Sequence, residues 1–316
     1  MKIKQGKLLK DYSYYRIGGP AKYFAEVENL AELRTCLEEW RLISQEQAID
    51  FNTILVLGEG TNLLFPKEGY PGLVIKNNLS GLSFDFDKRT VKAGSGYLIR
   101  KLAIEAAKNG FSGLEWAGGL PGTVGGAVRG NSGAFGGKTS NAVKSVDSLE
   151  LVSGKLIERD NADCLFGYRD SVFKNSGRGE FILEAVLELK LDEKEAVLKL
   201  TQEYLAYRKK RHPMDYPSLG CMFKNIAFKD VPDKFKEELR VFCKGDSLML
   251  PTASLIEKLG LKGVKQGGVE ISEKHANFFV NCGGGLPDDV KTLLRLVKER
   301  VRAAYGIELE EEIEIL

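Results

Sequence analysis

Apolar residues along the first part of the chain fall into short runs with two different periods. Residues 20–27, PAKYFAEV, and 73–76, LVIK, read as strands, and ILVLG at 54–58 is a continuous apolar strand. Leu30, Leu33, Leu37 and Trp40 recur at helical spacing. Asn29, with Glu32 three residues on, forms a capping box that opens that helix. FDFDKRTVKAG reads as a hairpin turning at Asp87–Arg89, and residues 97–108 as a helix stopped by Asn109-Gly110. A second hairpin runs from Val146 around Ser153-Gly154, and 181–191 is a strand. Asp192 with Glu195 opens a helix that reaches Arg211, where Pro213 stops it. Beyond it the pattern predicts a helix near 253–259 and strands near 267–271 and 275–281. Pro287 starts a helix whose Val290, Leu293, Leu294, Val297 and Val301 share one face, and Gly306 ends it. IELEEEIEIL closes the chain as a strand-like tail. There is no internal repeat, and the charged helix end RKKR at 208–211 is the boundary that the pattern offers.

Between 110 and 137 both periods fail, and the reason is glycine. The chain has 35 glycines in 316 residues, about 11% against a norm of about 7%. They concentrate in LGEGTN at 57–62, AGSGY at 93–97 and the stretch 113–137. A glycine lets backbone N–H groups approach phosphate oxygens closely. None of the three loops matches the dinucleotide G-x-G-x-x-G or the P-loop pattern. Each alone reads more readily as a turn; together they point to a large ligand that carries phosphates.

The remaining composition narrows the class. Hydrophobic residues make up 43% and charged residues 28%, the balance of an ordinary globular protein of two to three domains. A net charge of +2 with no run of five or six like charges argues against a nucleic-acid partner. No apolar stretch approaches the ~20 residues of a membrane span, and MKIKQGKLLKDY has no signal-peptide core, so a cytoplasmic protein without a membrane partner is expected. Cys36, Cys164, Cys221, Cys243 and Cys282 are odd in number and scattered, which fits a reducing compartment. With His212 and His275 the only histidines, no metal site is expected.

Nine stretches occur in an order that carries a resemblance. They are RIGGPAKYF (16–24), LGEGTNLL (57–64), AGSG (93–96), GLEWAGGLPGTVGGAVRGNSGAFGG (113–137), GYRDSVFK (167–174), YPSLGCMFKN (216–225), LIEKLGLKG (255–263), EISEKHANFFVN (270–281) and IELEEEI (307–313). Together they resemble the UDP-N-acetylenolpyruvoylglucosamine reductase family over nearly the whole chain. The resemblance implies an α+β fold: a two-subdomain FAD-binding region of the vanillyl-alcohol-oxidase (PCMH) type plus an α+β substrate-binding domain. It divides the chain into FAD-binding subdomains at 1–76 and 77–207, a UDP-sugar domain at 208–302, and a tail at 303–316 that returns to the active site. The 52-residue spacing from Arg169 to Cys221 resembles the family's second subtype. Glu59, where the family has a third glycine, and Lys67, where it often has Asp, depart from the pattern, and 226–250 is long for that subtype.

The resemblance further implies a monomer that uses FAD and NADPH to reduce UDP-GlcNAc-enolpyruvate to UDP-N-acetylmuramate for peptidoglycan precursor synthesis. FAD contacts are implied at Gly58, Glu59, Gly60, Thr61, Asn62, Gly118, Gly119, Gly122, Thr123, Gly125, Gly126 and Asn131. Tyr168, Lys224 and Asn225 are implied at the substrate. Hydride added at C3 leaves charge on C2 and the carboxylate, so the protein must supply a cation, a second enol-stabilising group and an acid. Arg169 carries over to the cation, a bidentate fork for a carboxylate, and an ion pair with Asp170 is its plain structural alternative. The family's Leu-Glu-Pro-Glu-Val places the enol-stabilising group on Glu312, though on a strand Glu310 shares its face. Cys221 stands where the family most often has the Ser that protonates C2, and a thiol also donates one proton from a short side chain. A packed, inert thiol is the alternative. Two other functions fit the same motifs: an oxidase of the same flavin superfamily, and an inactive homologue that binds FAD or UDP-sugar.

Overall fold

The computed structural model describes residues 2–175, 179–243 and 248–316. Packing divides the chain into two units. The first comprises Met1–Lys7, Ala21–Glu59 and Tyr70–Lys210; the second comprises Leu8–Pro20, Gly60–Gly69 and Arg211–Leu316.

The first unit is built on two sheets. Its four-stranded sheet has the order Lys4–Leu8, Pro20–Val27, Tyr70–Asn77, Ile54–Leu57, and the last three strands run parallel. Parallel neighbours need a crossover, and the helix Leu30–Glu46 supplies one, opened by the Asn29 side chain on the Glu32 N–H. The five-stranded antiparallel sheet has the order Leu156–Asp160, Val143–Glu150, Glu180–Glu188, Thr90–Gly94, Leu82–Asp85. Both of its faces are covered. Val91, Ala93, Val146 and Ala185 pack with Leu102 and Val124 from two helices, while Leu149, Leu151 and Phe181 pack with Leu33, Trp40 and Leu73. That double burial is why FILEAVLEL is apolar almost throughout rather than alternating.

The second unit holds a four-stranded sheet in the order Ser218–Cys221, Phe278–Asn281, Val269–Ile271, Lys265–Gln266. The helix Pro287–Tyr305 buries Val290, Leu293, Leu294, Val297 and Val301 in one core with Phe223, Phe279 and Ile307. Tyr15, Ile17 and Leu64 come from the two early segments and are buried in the same core. Leu63–Leu64 pairs in parallel with Glu314–Ile315.

Three details differ from the sequence pattern. Residues 110–137 contain a six-residue helix, Val124–Arg129, which Thr123 caps through the Gly126 N–H. Two glycines in VGGAVR hide its apolar period. The strand expected at 275–281 shrinks to Phe278–Asn281, because the Phe278 N–H bonds the His275 carbonyl in a turn. The segment 226–250 gains the helix Asp233–Arg240, with Phe235 edge-on to Tyr305 at 5.3 Å; residues 244–247 of that segment lie outside the described residues. Among the described residues no helix is long and apolar enough to cross a membrane.

Trp40 is fully buried, sits 5.2 Å from the Tyr23 ring and donates its indole N–H to the Phe51 carbonyl at 3.0 Å. Trp40→Ala should lower the unfolding free energy of the full chain by about 3–5 kcal/mol in a urea titration. An unchanged midpoint would mean that this helix does not anchor the two sheets.

Candidate functional site

In the first unit, glycine permits an approach that joins two loops distant in sequence. A Cβ on Gly58 would lie 2.8 Å from the Thr123 Oγ1, so only glycine allows the turn after Ile54–Leu57 to meet the start of Val124–Arg129. Gly125 donates to the Ser95 carbonyl at 2.8 Å, and the Gly122 carbonyl accepts from Ile99 at 3.1 Å. The turn at 58–59, Ser95 and the stretch 122–126 thus supply the first unit's backbone-rich face, through Gly58, Glu59, Gly122, Thr123, Gly125 and Gly126. Gly118 and Gly119 have a different reason. Cβ atoms there would press on Thr201 at 2.6 Å and on the Arg208 Cδ at 3.0 Å, so these two glycines admit the helix Lys194–Arg211.

One residue at this face escaped the sequence reading. Lys76 Nζ lies 2.8 Å from the Gly58 carbonyl and 2.8 Å from the Glu59 Oε1. A lone lysine at the end of LVIK carries no motif, and its signal is only the register that pairs Leu57 with Lys76.

Arg169 sits on a strained loop in the same unit. Its φ of 56° is left-handed, a region that costs a non-glycine residue about 1–2 kcal/mol. Several bonds hold it there. The Gly167 N–H donates to the Asp170 carbonyl at 3.0 Å, and Lys174 Nζ donates to the Arg169 carbonyl at 3.3 Å. Asn131, itself at φ 41°, gives its amide to the Gly167 carbonyl at 2.7 Å and accepts from the Ser140 N–H at 3.0 Å. In this structure Asn131 therefore braces the loop of Arg169. The Arg169 guanidinium donates to the Gly133 carbonyl at 3.2 Å and lies 5.8 Å from the centre of the half-exposed Tyr168 ring.

In the second unit, Cys221 ends the strand Ser218–Cys221 opposite Phe278, after a register shift at Gly220, whose φ is 80°. The chain beyond it is held by Asn277, 1% exposed. Asn277 accepts the Phe223 N–H at 3.0 Å, donates to the Phe223 carbonyl at 2.8 Å, and offers its own carbonyl to the Met222 N–H at 2.8 Å. The tail then lies antiparallel to this segment. The Lys224 N–H donates to the Glu310 carbonyl at 2.9 Å and the Glu312 N–H to the Met222 carbonyl at 2.8 Å. Glu312 is thereby bonded to the residue that follows Cys221.

The three neighbouring acids separate by partner. Glu310 is ion-paired with Lys224, and Glu311 with Lys298 at 2.5 Å. Glu312 has its carbonyl held by the Asn62 amide at 3.1 Å, and the Asn62 carbonyl accepts from Glu314 at 2.9 Å. The strand-like tail expected at 307–316 is thus a bonded but irregular segment, with regular pairing only at Glu314–Ile315. Gly60 accepts the Tyr14 N–H at 3.2 Å, and Thr61 follows it half-buried. Asn225 accepts from the Thr252 N–H at 3.3 Å, and the Lys224 carbonyl accepts the Thr252 hydroxyl at 2.5 Å. Lys224 and Asn225 therefore both have protein partners.

Among the other thiols, burial pushes Cys36 up to about 12 and Cys164 to about 11, which keeps both protonated at neutral pH. Cys282 is exposed, raised first by desolvation and then by Glu270. Cys221 is half-buried at the sheet end. The His212 and His275 rings pack on Phe278, the cross-strand neighbour of Cys221, at 5.0 and 4.7 Å.

Comparison with known proteins gives the family context. A family profile described as the UDP-N-acetylenolpyruvoylglucosamine reductase C-terminal domain matches residues 212–316, and one described as an FAD binding domain matches 22–157. The UDP-N-acetylenolpyruvoylglucosamine reductase of Protochlamydia amoebophila is 37% identical over 306 residues, covering 97% of this chain and 91% of that protein. The one from Chlamydia felis is 34% identical over 314 residues, covering 99% and 94%. The crystal structure of the Thermus caldophilus reductase matches with a TM-score of 0.76 at 31% identity, covering 100% of this chain and 99% of that one. The fold is thus α+β, an FAD-binding domain of the PCMH type followed by the reductases' C-terminal domain.

Asn277 generates a test of how the segment after Cys221 is held. Asn277→Ala leaves the buried Phe223 N–H and carbonyl without their partner, and should cost about 2–5 kcal/mol in urea unfolding. A loss under about 0.5 kcal/mol would mean that the two bonds are not what fixes this segment.

Proposed function

The chain belongs to the UDP-N-acetylenolpyruvoylglucosamine reductase family, and we propose that it reduces UDP-GlcNAc-enolpyruvate to UDP-N-acetylmuramate with NADPH as reductant and FAD as carrier. It is a flavin oxidoreductase of peptidoglycan precursor synthesis. The observation that carries the finer reading is the backbone bond from Glu312 to Met222, which ties the tail to the residue after Cys221.

The first unit suits the diphosphate of FAD. A Cβ on Gly58 would press on the Thr123 side chain, so the turn at Gly58 presents backbone without a side chain. Gly58, Glu59, Gly122, Thr123, Gly125 and Gly126 would hold the cofactor there, with Gly60, Thr61 and Asn62 continuing the same loop. Bound there, FAD would supply the hydride-carrying chemistry that links NADPH to C3 of the enolpyruvyl group.

The chain's own side chains meet what this leaves behind. Arg169 pairs with the enolpyruvyl carboxylate and stabilises the charge that spreads onto it, a contribution of roughly 10²–10³ in rate. Its strained, braced backbone supports that role, since such strain persists where surrounding bonds over-determine it. Glu312 stabilises the enol. Its backbone N–H is bonded to the Met222 carbonyl, beside Cys221, which supports this role. The Sγ of Cys221 gives its proton to C2, and solvent reprotonates the thiolate. Tyr168, Lys224 and Asn225 bind the UDP-sugar; Lys224 would exchange Glu310 for phosphate.

The functional division follows: 1–76 and 77–207 for FAD, 208–302 for the UDP-sugar, and 303–316 as the tail that brings Glu312. It crosses the packing units, because Leu8–Pro20 and Gly60–Gly69 pack in the second. The protein acts as a cytoplasmic monomer in this reading.

The cofactor is expected to be held without a covalent bond. Acid precipitation of the purified protein should leave the flavin in the supernatant, whereas flavin that pellets with the protein would favour an oxidase of the same superfamily. Half-reactions test the side chains. In Cys221→Ala, NADPH should still reduce the flavin, while reoxidation by UDP-GlcNAc-enolpyruvate slows by roughly 10²–10⁴ and Cys221→Ser recovers much of it. Arg169→Lys and Glu312→Gln should show the same split, and Glu310→Gln should not. Wild-type reoxidation in Cys221→Ala would remove Cys221 from the chemistry.

A further inference from the structure

We propose that Lys76 is a positioning residue for the cofactor: it orients the Gly58–Glu59 peptide toward the diphosphate and cancels the charge that Glu59 brings to that loop. The inference rests on the FAD reading above. It concerns a residue that no sequence motif and no role assigned so far has used.

The geometry begins in the sheet. Leu57 and Lys76 are paired in the parallel register of Ile54–Leu57 and Tyr70–Asn77. The chain leaves the sheet after Leu57, so a long side chain at 76 reaches the next peptide of its neighbour. Lys76 does so with its side chain only 12% exposed, and its Nζ donates to the Gly58 carbonyl and to the Glu59 carboxylate, each at 2.8 Å.

The orientation follows from peptide geometry. No cis peptide occurs among the described residues. In a trans peptide the carbonyl of one residue and the N–H of the next point in opposite directions. A Gly58 carbonyl held on Lys76 therefore turns the Glu59 N–H away from Lys76. Gly58 has no side chain to resist rotation, and a Cβ there is forbidden by Thr123. The lysine thus removes the freedom that glycine must bring to this contact.

The charge argument is independent. A diphosphate ester linkage carries about two negative charges at neutral pH, and Glu59 places another in the loop meant to receive it. Lys76 answers that difficulty by pairing with the same carboxylate that it neutralises. A hydrogen bond from a charged group is worth roughly ten- to a hundredfold in an equilibrium.

The test is calorimetric titration of FAD into the full chain freed of flavin. The wild type should bind; if it does not, the FAD reading itself fails, whatever Lys76 does. Lys76→Met should weaken binding by roughly 10–100-fold. Adding Glu59→Gln to Lys76→Met should recover about tenfold, since the uncompensated carboxylate is gone while the peptide stays unpinned. A merely structural lysine would show no such recovery. The inference is overturned, with the FAD reading intact, if Lys76→Met binds like wild type or if the double variant binds no better than Lys76→Met. Should Lys76→Met not fold, Glu59→Gln alone decides: it removes a negative charge beside the diphosphate while Lys76 still holds Gly58, and should tighten FAD binding about two- to fivefold. Unchanged or weaker binding in that variant would overturn the proposal.

Discussion

The second unit depends on one long-range closure. Asn62 donates to the Glu312 carbonyl across 250 residues of sequence, and beside it Leu63–Leu64 pairs in parallel with Glu314–Ile315. Closing so long a loop costs entropy that local structure does not return. The buried core offsets it: Leu64, Ile307, Leu309 and Ile313 sit with Phe223 and Phe279 in one cluster. Once the tail is held there, the Glu312 N–H meets Met222, and the acids of the LEEEI run acquire different partners. The chemistry proposed for Glu312 and Cys221 is thus a consequence of how the ends of this unit are packed.

The first unit answers a different constraint, that of packing threonine side chains directly against glycine backbone. Gly58 against Thr123 and Gly118 against Thr201 are contacts that any side chain would prevent. Glycine leaves these peptides loosely determined, and side chains from elsewhere restore definition. Lys76 holds Gly58, and Asn131 holds Gly167 beside Arg169. In both cases a polar side chain fixes a backbone carbonyl. Asn131 is the clearer instance, since its amide donates to the Gly167 carbonyl and accepts from the Ser140 N–H.

Much of the architecture was legible in the chain because it rests on local rules. The Asn29 cap, the hairpin at 87–89, the Asn109-Gly110 stop and the apolar face of Pro287–Tyr305 each follow from a few neighbouring residues. The misses have physical causes. Two glycines masked the helix Val124–Arg129, and the Asn277 side chain stands where sheet pairing was expected at 275–277. The glycine loops pointed to a phosphate-bearing ligand, but glycine says nothing of what steadies such a loop, so Lys76 stayed hidden in an ordinary strand.

The sequence by itself determined the periods of the helices and strands, the family to which nine ordered motifs belong, and the types of side chain available for the chemistry. Those are properties of neighbours along the chain, and neighbours are what a sequence displays. Only the tertiary structure decided that Glu310 and Glu311 are paired with lysines, that Glu312 is tied to Met222, and that Lys76 meets Gly58. LEEEI offers three like carboxylates with no local property to tell them apart. What separates them is the position of Lys224, Lys298 and Asn62, and those positions exist only after distant apolar segments have been buried together.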